Sequence, residues 1–300
     1  MMGSYCQTEI GHGSDVPGLM TTATFDKTTD EFIVNTPDPR ATKWWPGELG
    51  LYSSHTIIYA RLIIEGKTYG VFPFLVQLRD TTTWKLLEGV KAGDMGPKFG
   101  YNAKNNGWCS FSNVRIPREY MLMKFAKVDR NGKFSINGDP RMLYVAMSEV
   151  RAGLIQHAAD YLARGLTVAI RYSVVRRQFR NNIEDPKSET KLLDYQSQQM
   201  KLFPLLAINY NMIFTFLEVK KLFTALIREA EQHNFEKLDI MHHLTSGFKS
   251  LFTQRGIEGL YTARQSIGGA GMTEWSGIPA AIAFLGPSVT YEGDNSVMAQ

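Results

Sequence analysis

A change of hydrophobic period near residue 140 constrains the fold more than any other feature of this sequence. Before it, short runs of branched and aromatic residues alternate with Gly and Pro, which is typical of β-strands joined by tight turns. After it, residues 141–180 contain no Pro, and their apolar residues recur at spacings of three and four, which predicts a long helix. The chain is therefore expected to have an α+β fold, with a β domain over residues 1–138 and a helical domain over residues 139–300.

The β half contains two hairpin signals, in each of which a short polar or Gly-containing turn separates two runs rich in Val, Ile, Phe and Tyr. Short strands punctuated by Gly and Pro predict a small β-barrel or sandwich. The predicted strands are residues 21–25, 31–35, 55–64, 68–78 and 107–116.

The helical half is predicted to be an antiparallel four-helix bundle that lacks part of one member. Pro204 is expected to kink the second helix, and the glycines at 268, 269 and 271 end the third. Loop residues are expected at 181–189. The predicted helices are residues 141–180, 190–233 and 237–265, followed by one that begins near Asp294.

The run from Leu202 to Leu217 has no charged residue and is the most apolar stretch of the chain. It is shorter than a membrane-spanning helix requires, and Asn209 and Asn211 interrupt it. We therefore interpret it as a helix buried on most sides, and we expect no membrane span.

Composition excludes several classes of protein. With 44% hydrophobic residues, 17 Phe, 13 Tyr and 5 Trp, the chain is not disordered. A net charge of +4 without basic runs gives no support for nucleic-acid binding. Cys6 and Cys109 form no C-x-x-C motif, and His242 and His243 are adjacent rather than four apart, so no metal site is predicted.

Seven strings of residues occur in order and cover essentially the whole chain. They are 5–13 YCQTEIGHG, 43–47 KWWPG, 93–101 GDMGPKFGY, 113–119 NVRIPRE, 169–179 AIRYSVVRRQF, 193–196 LDYQ and 290–298 TYEGDNSVM. Together these strings resemble the acyl-CoA oxidases, the flavin enzymes of peroxisomal fatty-acid oxidation. The resemblance implies a middle β-barrel followed by a helical bundle. It also implies an N-terminal and a second C-terminal helical domain that are absent here, so we expect a central fragment.

The resemblance implies FAD-dependent oxidation of a fatty acyl-CoA to a trans-2-enoyl-CoA, with O₂ as electron acceptor and H₂O₂ as product, in a peroxisomal homodimer. An acyl-CoA dehydrogenase that uses an electron-transfer protein is the alternative, and residues 5–9 and 43–47 favour the oxidase. A truncated fragment without catalytic activity is a further alternative, although the catalytic motifs are intact. The sequence does not indicate the preferred acyl chain length.

Glu292 matches the catalytic glutamate of the family. Removing a proton from the carbon next to the thioester requires a positioned carboxylate, and burial beside an apolar substrate is expected to raise its pKa. From position alone, Glu292 could instead stabilise the dipole of the helix that follows it. The resemblance implies that the Gly293 N–H polarises the thioester carbonyl, while from the residue alone Gly293 is a turn glycine.

Two residues of the β half match flavin contacts of the family. The hydroxyl and N–H of Thr8 are implied to bond the flavin ring, although a strand-end threonine is the simpler interpretation. Gly47 is a second implied contact or a turn residue, and Glu48 stands where the family often has another glycine. Trp44 and Trp45 face opposite sides if they lie on a strand, so one is expected in the core and the other could contact the flavin.

The helical half carries the residues implied to bind the FAD pyrophosphate of the neighbouring subunit. Arg176 belongs to an Arg-x-x-Phe pattern, and a guanidinium suits a phosphate. Gly268 and Gly269 would expose backbone N–H groups to the same anion, or they form a helix C-cap. Gln196 is assigned to the same site. These assignments imply a dimer, because each flavin site then requires two chains.

Overall fold

The computed structural model describes residues 1–137, 143–180, 185–230, 232 and 234–300. The chain divides into two compact units, one of Met1–Lys98 with Asn102–Pro140 and the other of Phe99–Tyr101 with Arg141–Gln300. The first is built of strands and the second mainly of helices, which confirms the α+β class. The predicted domain boundary between residues 138 and 139 lies outside the described residues and stays a prediction.

The described residues of the β unit form three sheets. A six-stranded sheet has the order β1-β5-β2-β3-β9, with β6 paired to β5, and the smaller sheets are β4-β8-β7 and β10-β11. The strands are β1 (Gly3–Cys6), β2 (Thr22–Asp26), β3 (Glu31–Asn35), β4 (Lys43–Gly47), β5 (His55–Ile64), β6 (Lys67–Gln77), β7 (Val90–Asp94), β8 (Asn106–Phe111), β9 (Val114–Pro117), β10 (Ala126–Val128) and β11 (Phe134–Ile136).

Both predicted hairpins are present as antiparallel pairs, β2 with β3 and β5 with β6. Every second residue of β5 is buried, as expected of a strand with one face on the core. Glu65 and Gly66 connect β5 to β6 with φ angles of 48° and 79°. Positive φ at both central residues is the requirement of a type I′ turn, whose twist matches that of the strands.

The prediction of one alternating stretch over residues 107–116 is wrong. The structure has two strands there, β8 paired with β4 and β7, and β9 paired with β3 in another sheet. Asn113 stands between them with φ of 52°, a left-handed conformation that Asn tolerates better than most residues. The buried positions shift by one residue across this turn, from Phe111 to Val114, and reading the run as one strand overlooks that shift.

Within its described residues, the helical unit contains three long α-helices that pack on one another and two short ones. Their buried apolar residues form one core, in which Leu162, Leu202, Met212 and Leu260 are all fully enclosed. The short α4 was not predicted, because its eight residues are almost all apolar and show no helical period. The helices are α1 (Leu143–Val175), α2 (Gln196–Ala230), α3 (Lys237–Ser266), α4 (Ile278–Leu285) and α5 (Asn295–Met298).

Helix α2 runs through Pro204 and is buried along a narrow stripe only. Phe203, Tyr210 and Phe214 on its other faces are 45%, 56% and 63% exposed. The expectation of a helix buried on most sides is therefore wrong, since a stripe repeating about every seven residues covers one seam of a helix. By length and composition alone α2 could also cross a membrane, which is weak evidence.

Candidate active site

The candidate catalytic residues form a left-handed turn just before α5. Glu292 and Gly293 have φ angles of 56° and 98° and are both partly buried. A glutamate in this region is uncommon and persists where the surroundings hold it. A side chain at Gly293 would be strained, and its Cβ would lie 2.6 Å from the Met298 Sδ. Asp294 caps α5 by accepting a hydrogen bond of 2.9 Å from the Ser296 N–H.

The environment of the Glu292 carboxylate favours a role as a proton acceptor. Burial raises its pKa, and the positive charges of Arg151 and Lys249 only partly offset that increase. Among the residues that the structure describes, no hydrogen bond or ion pair uses this carboxylate. A general base is most effective when its pKa lies near the working pH, so the burial of Glu292 moves it in the useful direction.

Two buried cations hold the backbone of this turn. Arg151 on α1 is 3% exposed, and its Nε donates to the Glu292 carbonyl at 3.1 Å. Lys249 on α3 is completely buried, and its Nζ donates to the Gly293 carbonyl and to Asn295 Oδ1, the latter at 2.9 Å. Sequence reasoning missed both cations. The available signal was a charge at a core-facing position of each helix.

Aromatic rings line the neighbourhood of the turn within the helical unit. The Tyr291 hydroxyl lies 3.4 Å from the Tyr101 hydroxyl. The Tyr101 ring meets Phe284 edge-on at 5.1 Å between centroids, and Tyr161 stacks on Phe284 at 6.3 Å. Burial, followed by the Tyr101 hydroxyl, raises the Tyr291 pKa above its ordinary value. The phenol of Tyr291, the residue before Glu292, is therefore neutral.

The four residues predicted to bind a pyrophosphate are exposed. They lie at or near the ends of three helices, and the hydrogen bonds of one buried glutamine join these helix ends. Arg176 follows the last residue of α1, Gln196 begins α2, and Gly268 and Gly269 follow α3. The Gln198 Nε2 donates to Ser173 Oγ on α1 at 3.0 Å and to the Ser266 carbonyl on α3 at 2.8 Å. Gln198 thus ties the end of α1, the start of α2 and the end of α3 together, a role that sequence reasoning missed.

These four residues are far from Glu292 in the same helical unit. Arg151, which contacts Glu292, and Ser173, which contacts Gln198, are 22 residues apart on α1. At 1.5 Å of rise per residue, that separation is about 33 Å along the helix. The structure therefore does not bring the predicted catalytic base and the predicted pyrophosphate residues together within one chain.

In the β unit, Thr8 is hydrogen-bonded to β4, and Gly47 belongs to that strand. The Thr8 carbonyl accepts a hydrogen bond of 3.0 Å from the Trp44 N–H, and Gly47 ends β4. Trp44 is partly buried and Trp45 is 53% exposed, so the expectation that one of them belongs to the core is wrong. Pairing with β8 is irregular between Trp44 and Gly47, and Trp45 has φ of 88°, so the two rings do not follow the simple alternation of a strand.

A buried ion pair holds the segment that contains Thr8. The Lys43 Nζ lies 3.0 Å from Glu9 Oε1 and also donates to the carbonyls of Gln7 and Tyr59. The Glu9 carboxylate accepts from the N–H groups of Met20 and Thr21 as well. Burial alone would raise the pKa of Glu9. Lys43 and these hydrogen bonds lower that pKa by more, so its net shift is downward. Both charges are satisfied, which makes the pair a structural support.

Comparison with known proteins identifies the family. A family model described as the acyl-CoA oxidase C-alpha1 domain matches residues 144–300, more than half of the chain. The chain belongs to the acyl-CoA oxidase family. Peroxisomal acyl-coenzyme A oxidase 1 of Arabidopsis thaliana is 44% identical over 99% of the chain, and the enzyme of that name from Rattus norvegicus is 42% identical over the same share. This acyl-CoA oxidase chain spans about 45% of the length of each.

Solved acyl-CoA oxidases have the same fold. Arabidopsis thaliana acyl-CoA oxidase 1 superimposes with a TM-score of 0.95 at 43% identity, over 99% of this chain and 45% of its own. Acyl-CoA oxidase-1 of Caenorhabditis elegans, complexed with FAD and ATP, superimposes with a TM-score of 0.92 at 40% identity, over 99% and 43%. The family resemblance and the α+β fold are confirmed. The individual site residues stay predictions.

Proposed function

We propose that this chain is the part of an FAD-dependent acyl-CoA oxidase that removes a proton and a hydride from a fatty acyl-CoA. The products are a trans-2-enoyl-CoA and, after electron transfer to O₂, H₂O₂. One observation carries the proposal. In a member of the acyl-CoA oxidase family, Glu292 is held in a partly buried turn, its pKa is raised, and its carboxylate has no competing partner among the described residues.

The chemistry divides between a carboxylate, a backbone amide and a cofactor. Glu292 accepts the proton from the carbon next to the thioester, for which its raised pKa is favourable. The Gly293 N–H makes no hydrogen bond among the described residues, so it is available to donate to the thioester carbonyl. Bound FAD supplies the acceptor for the hydride that leaves the next carbon, because no side chain carries that chemistry.

The residues predicted to bind FAD have the chemistry that the group requires. Arg176 is an exposed guanidinium, and Arg–phosphate pairs are strong and often bidentate. Gly268 and Gly269 are exposed, and a Cβ built on either would meet no atom within 4 Å, which leaves room for an anion near the backbone. Thr8 is partly buried, and its hydroxyl makes no hydrogen bond within the part of the chain that the structure describes. A homologue crystallised with FAD supports the assignment.

A homodimer follows from the separation of these residues. Arg176 and Glu292 lie near positions of α1 that are about 33 Å apart, whereas the flavin ring and the pyrophosphate of one FAD are joined only by a short ribityl chain. One chain therefore contributes its base to one FAD and its arginine to another. The full-length relatives are named peroxisomal, and we propose the same compartment for the protein that contains this chain.

The deciding experiment is the absorbance spectrum of the purified protein before and after anaerobic addition of palmitoyl-CoA. We expect a flavin band that bleaches, followed by O₂ consumption and H₂O₂ formation when air is admitted. The Glu292→Gln variant should keep the band and bleach about 10³-fold more slowly, since general-base catalysis contributes roughly 10²–10⁴-fold. Glu274→Gln, which changes an exposed glutamate outside the turn, is the matched control.

Two results would contradict the proposal. Bleaching without O₂ consumption would indicate a dehydrogenase that needs another electron acceptor. A protein that binds FAD but bleaches equally fast in the Glu292→Gln variant would remove Glu292 from the mechanism.

A further inference from the structure

Lys249 occupies a position where an apolar residue would be the simpler choice. Its side chain is completely buried on α3, and the desolvation of an ammonium is costly unless the group is paired and hydrogen-bonded. Among the described residues, the Lys249 Nζ donates two hydrogen bonds, and both go to the Glu292–Asn295 segment, one to the Gly293 carbonyl and one to Asn295 Oδ1.

The geometry of two successive peptide planes indicates what this contact does. The Arg151 Nε donates to the Glu292 carbonyl. The peptide bond between Glu292 and Gly293 is trans, so the Gly293 N–H lies in the same plane as that carbonyl and points in the opposite direction. Lys249 holds the carbonyl of Gly293, which belongs to the next plane. Glycine rotates more freely than any other residue, so holding both flanking peptide planes restricts Gly293 to one conformation.

We propose that Lys249 is a positioning residue for the oxidation of acyl-CoA. By holding the Gly293 carbonyl, it fixes the direction in which the Gly293 N–H and the Glu292 side chain meet the substrate. The inference rests on the function proposed above and assigns to Lys249 no contact with substrate or FAD.

The second acceptor of Lys249 is itself fixed to α3. Asn295 Nδ2 donates to the Ser250 carbonyl at 3.1 Å and to Thr253 Oγ1 at 3.0 Å. The Ser250 hydroxyl in turn donates to the Asn295 carbonyl at 3.0 Å. The turn is therefore attached to α3 on both sides of Asp294, and Lys249 is the group that reaches its catalytic end.

The protonation state of Lys249 gives a readout that a purely structural lysine would not share. Burial and the charge of Arg151 on α1 lower its pKa to about 8, while Asp294 and Glu292 of the turn raise it. Below pH 8 the ammonium donates charge-assisted hydrogen bonds, which are stronger than those of a neutral amine. As the pH rises through about 8, the charge is lost, and the rate of flavin reduction should fall.

The test is stopped-flow reduction of the FAD-bound protein by saturating palmitoyl-CoA, measured between pH 6 and pH 10. The variants are Lys249→Met, which keeps side-chain length but removes the donors, and Lys249→Arg, which keeps a charge that does not titrate in this range. We expect Lys249→Met to slow reduction about 10²-fold with less than about a threefold change in the apparent Kd, the effect of a small misplacement of reacting groups. Lys249→Arg should abolish the decline above pH 8.

Lys220→Met is the control, because Lys220 is an exposed lysine on α2. If the wild type reduces its flavin and Lys249→Met reduces it equally fast, the positioning role is wrong and the proposed function stands. If the wild type itself is not reduced, the proposed function fails first. Should Lys249→Met not fold, the pH profiles decide: a decline near pH 8 that persists unchanged in Lys249→Arg, or its absence in the wild type, overturns the inference.

Discussion

The Glu292–Gly293 turn combines a residue that a motif identifies with residues that only the fold reveals. Glu292 could be predicted because it stands in a string that resembles a known family. Arg151 and Lys249 could not, since each lies more than 40 residues away in sequence and acts on backbone carbonyls, for which no side-chain motif exists. Their effect arises from the meeting of α1 and α3 with the turn.

Gly293 should not tolerate a side chain. In Gly293→Ala, the new Cβ would meet the Met298 Sδ, and the φ of 98° would strain the backbone at a cost of about 1–3 kcal/mol. We expect flavin reduction to slow about 10²-fold, because the substitution displaces the N–H that we propose donates to the thioester carbonyl. Stopped-flow reduction and urea unfolding measure the two effects.

Gly153→Ala is the comparison variant for Gly293→Ala. Gly153 lies within α1, and a Cβ there would meet no atom within 4 Å. Alanine should stabilise the helix by about 0.4–1 kcal/mol and leave the reduction rate unchanged. Equal behaviour of the two variants would show that the left-handed backbone of Gly293 has no part in the reaction.

Among helices and strands, those with a regular hydrophobic period were predictable. Helices α1, α2 and α3 begin and end within a few residues of the expected positions, with two exceptions of five or six residues at the end of α1 and the start of α2. The hairpin β5–β6 also agrees with its prediction. The period was uninformative for α4, and it did not reveal the change of sheet between β8 and β9. Which faces of α2 are covered depends on its neighbours, so the sequence alone could not decide it.

Gln198 should stabilise the end of the helical unit at which α1, α2 and α3 are tied together. The Gln198→Leu substitution removes the donor to the Ser266 carbonyl and leaves that buried acceptor unsatisfied, which costs about 1–3 kcal/mol. We also expect weaker FAD binding, because Gly268 and Gly269 lie only two and three residues after Ser266. Urea unfolding and FAD titration of the apoprotein measure both quantities.

Gln254→Leu provides the control on α3, since the Gln254 amide bonds only Glu258 on the exposed surface of the same helix. It should change stability by less than about 0.5 kcal/mol. If FAD affinity falls equally in both variants, the bond from Gln198 is not what shapes the glycine turn.

For the assembled protein, the separation of about 33 Å along α1 predicts that two inactive variants can restore each other. Glu292→Gln changes the proposed base, and Arg176→Ala changes the residue proposed to bind the pyrophosphate of the other subunit's flavin. When the two homodimers are mixed and allowed to exchange subunits, a mixed dimer regains one site with both residues intact. Random exchange in a symmetric dimer should restore up to about one active site in four. Recovery of no activity after verified exchange would show that each site is built from one chain.

The proposed dimer also has a consequence for inheritance. In such a dimer, a chain with a defective base would still contribute its arginine to the site of a normal partner, so it would not inactivate that site. Each mixed dimer then retains one working site, and activity should follow the number of normal gene copies. Two different defective alleles, one with a substitution at Glu292 and the other with a substitution at Arg176, should complement each other in the same cell. Two alleles with substitutions at the same residue should not.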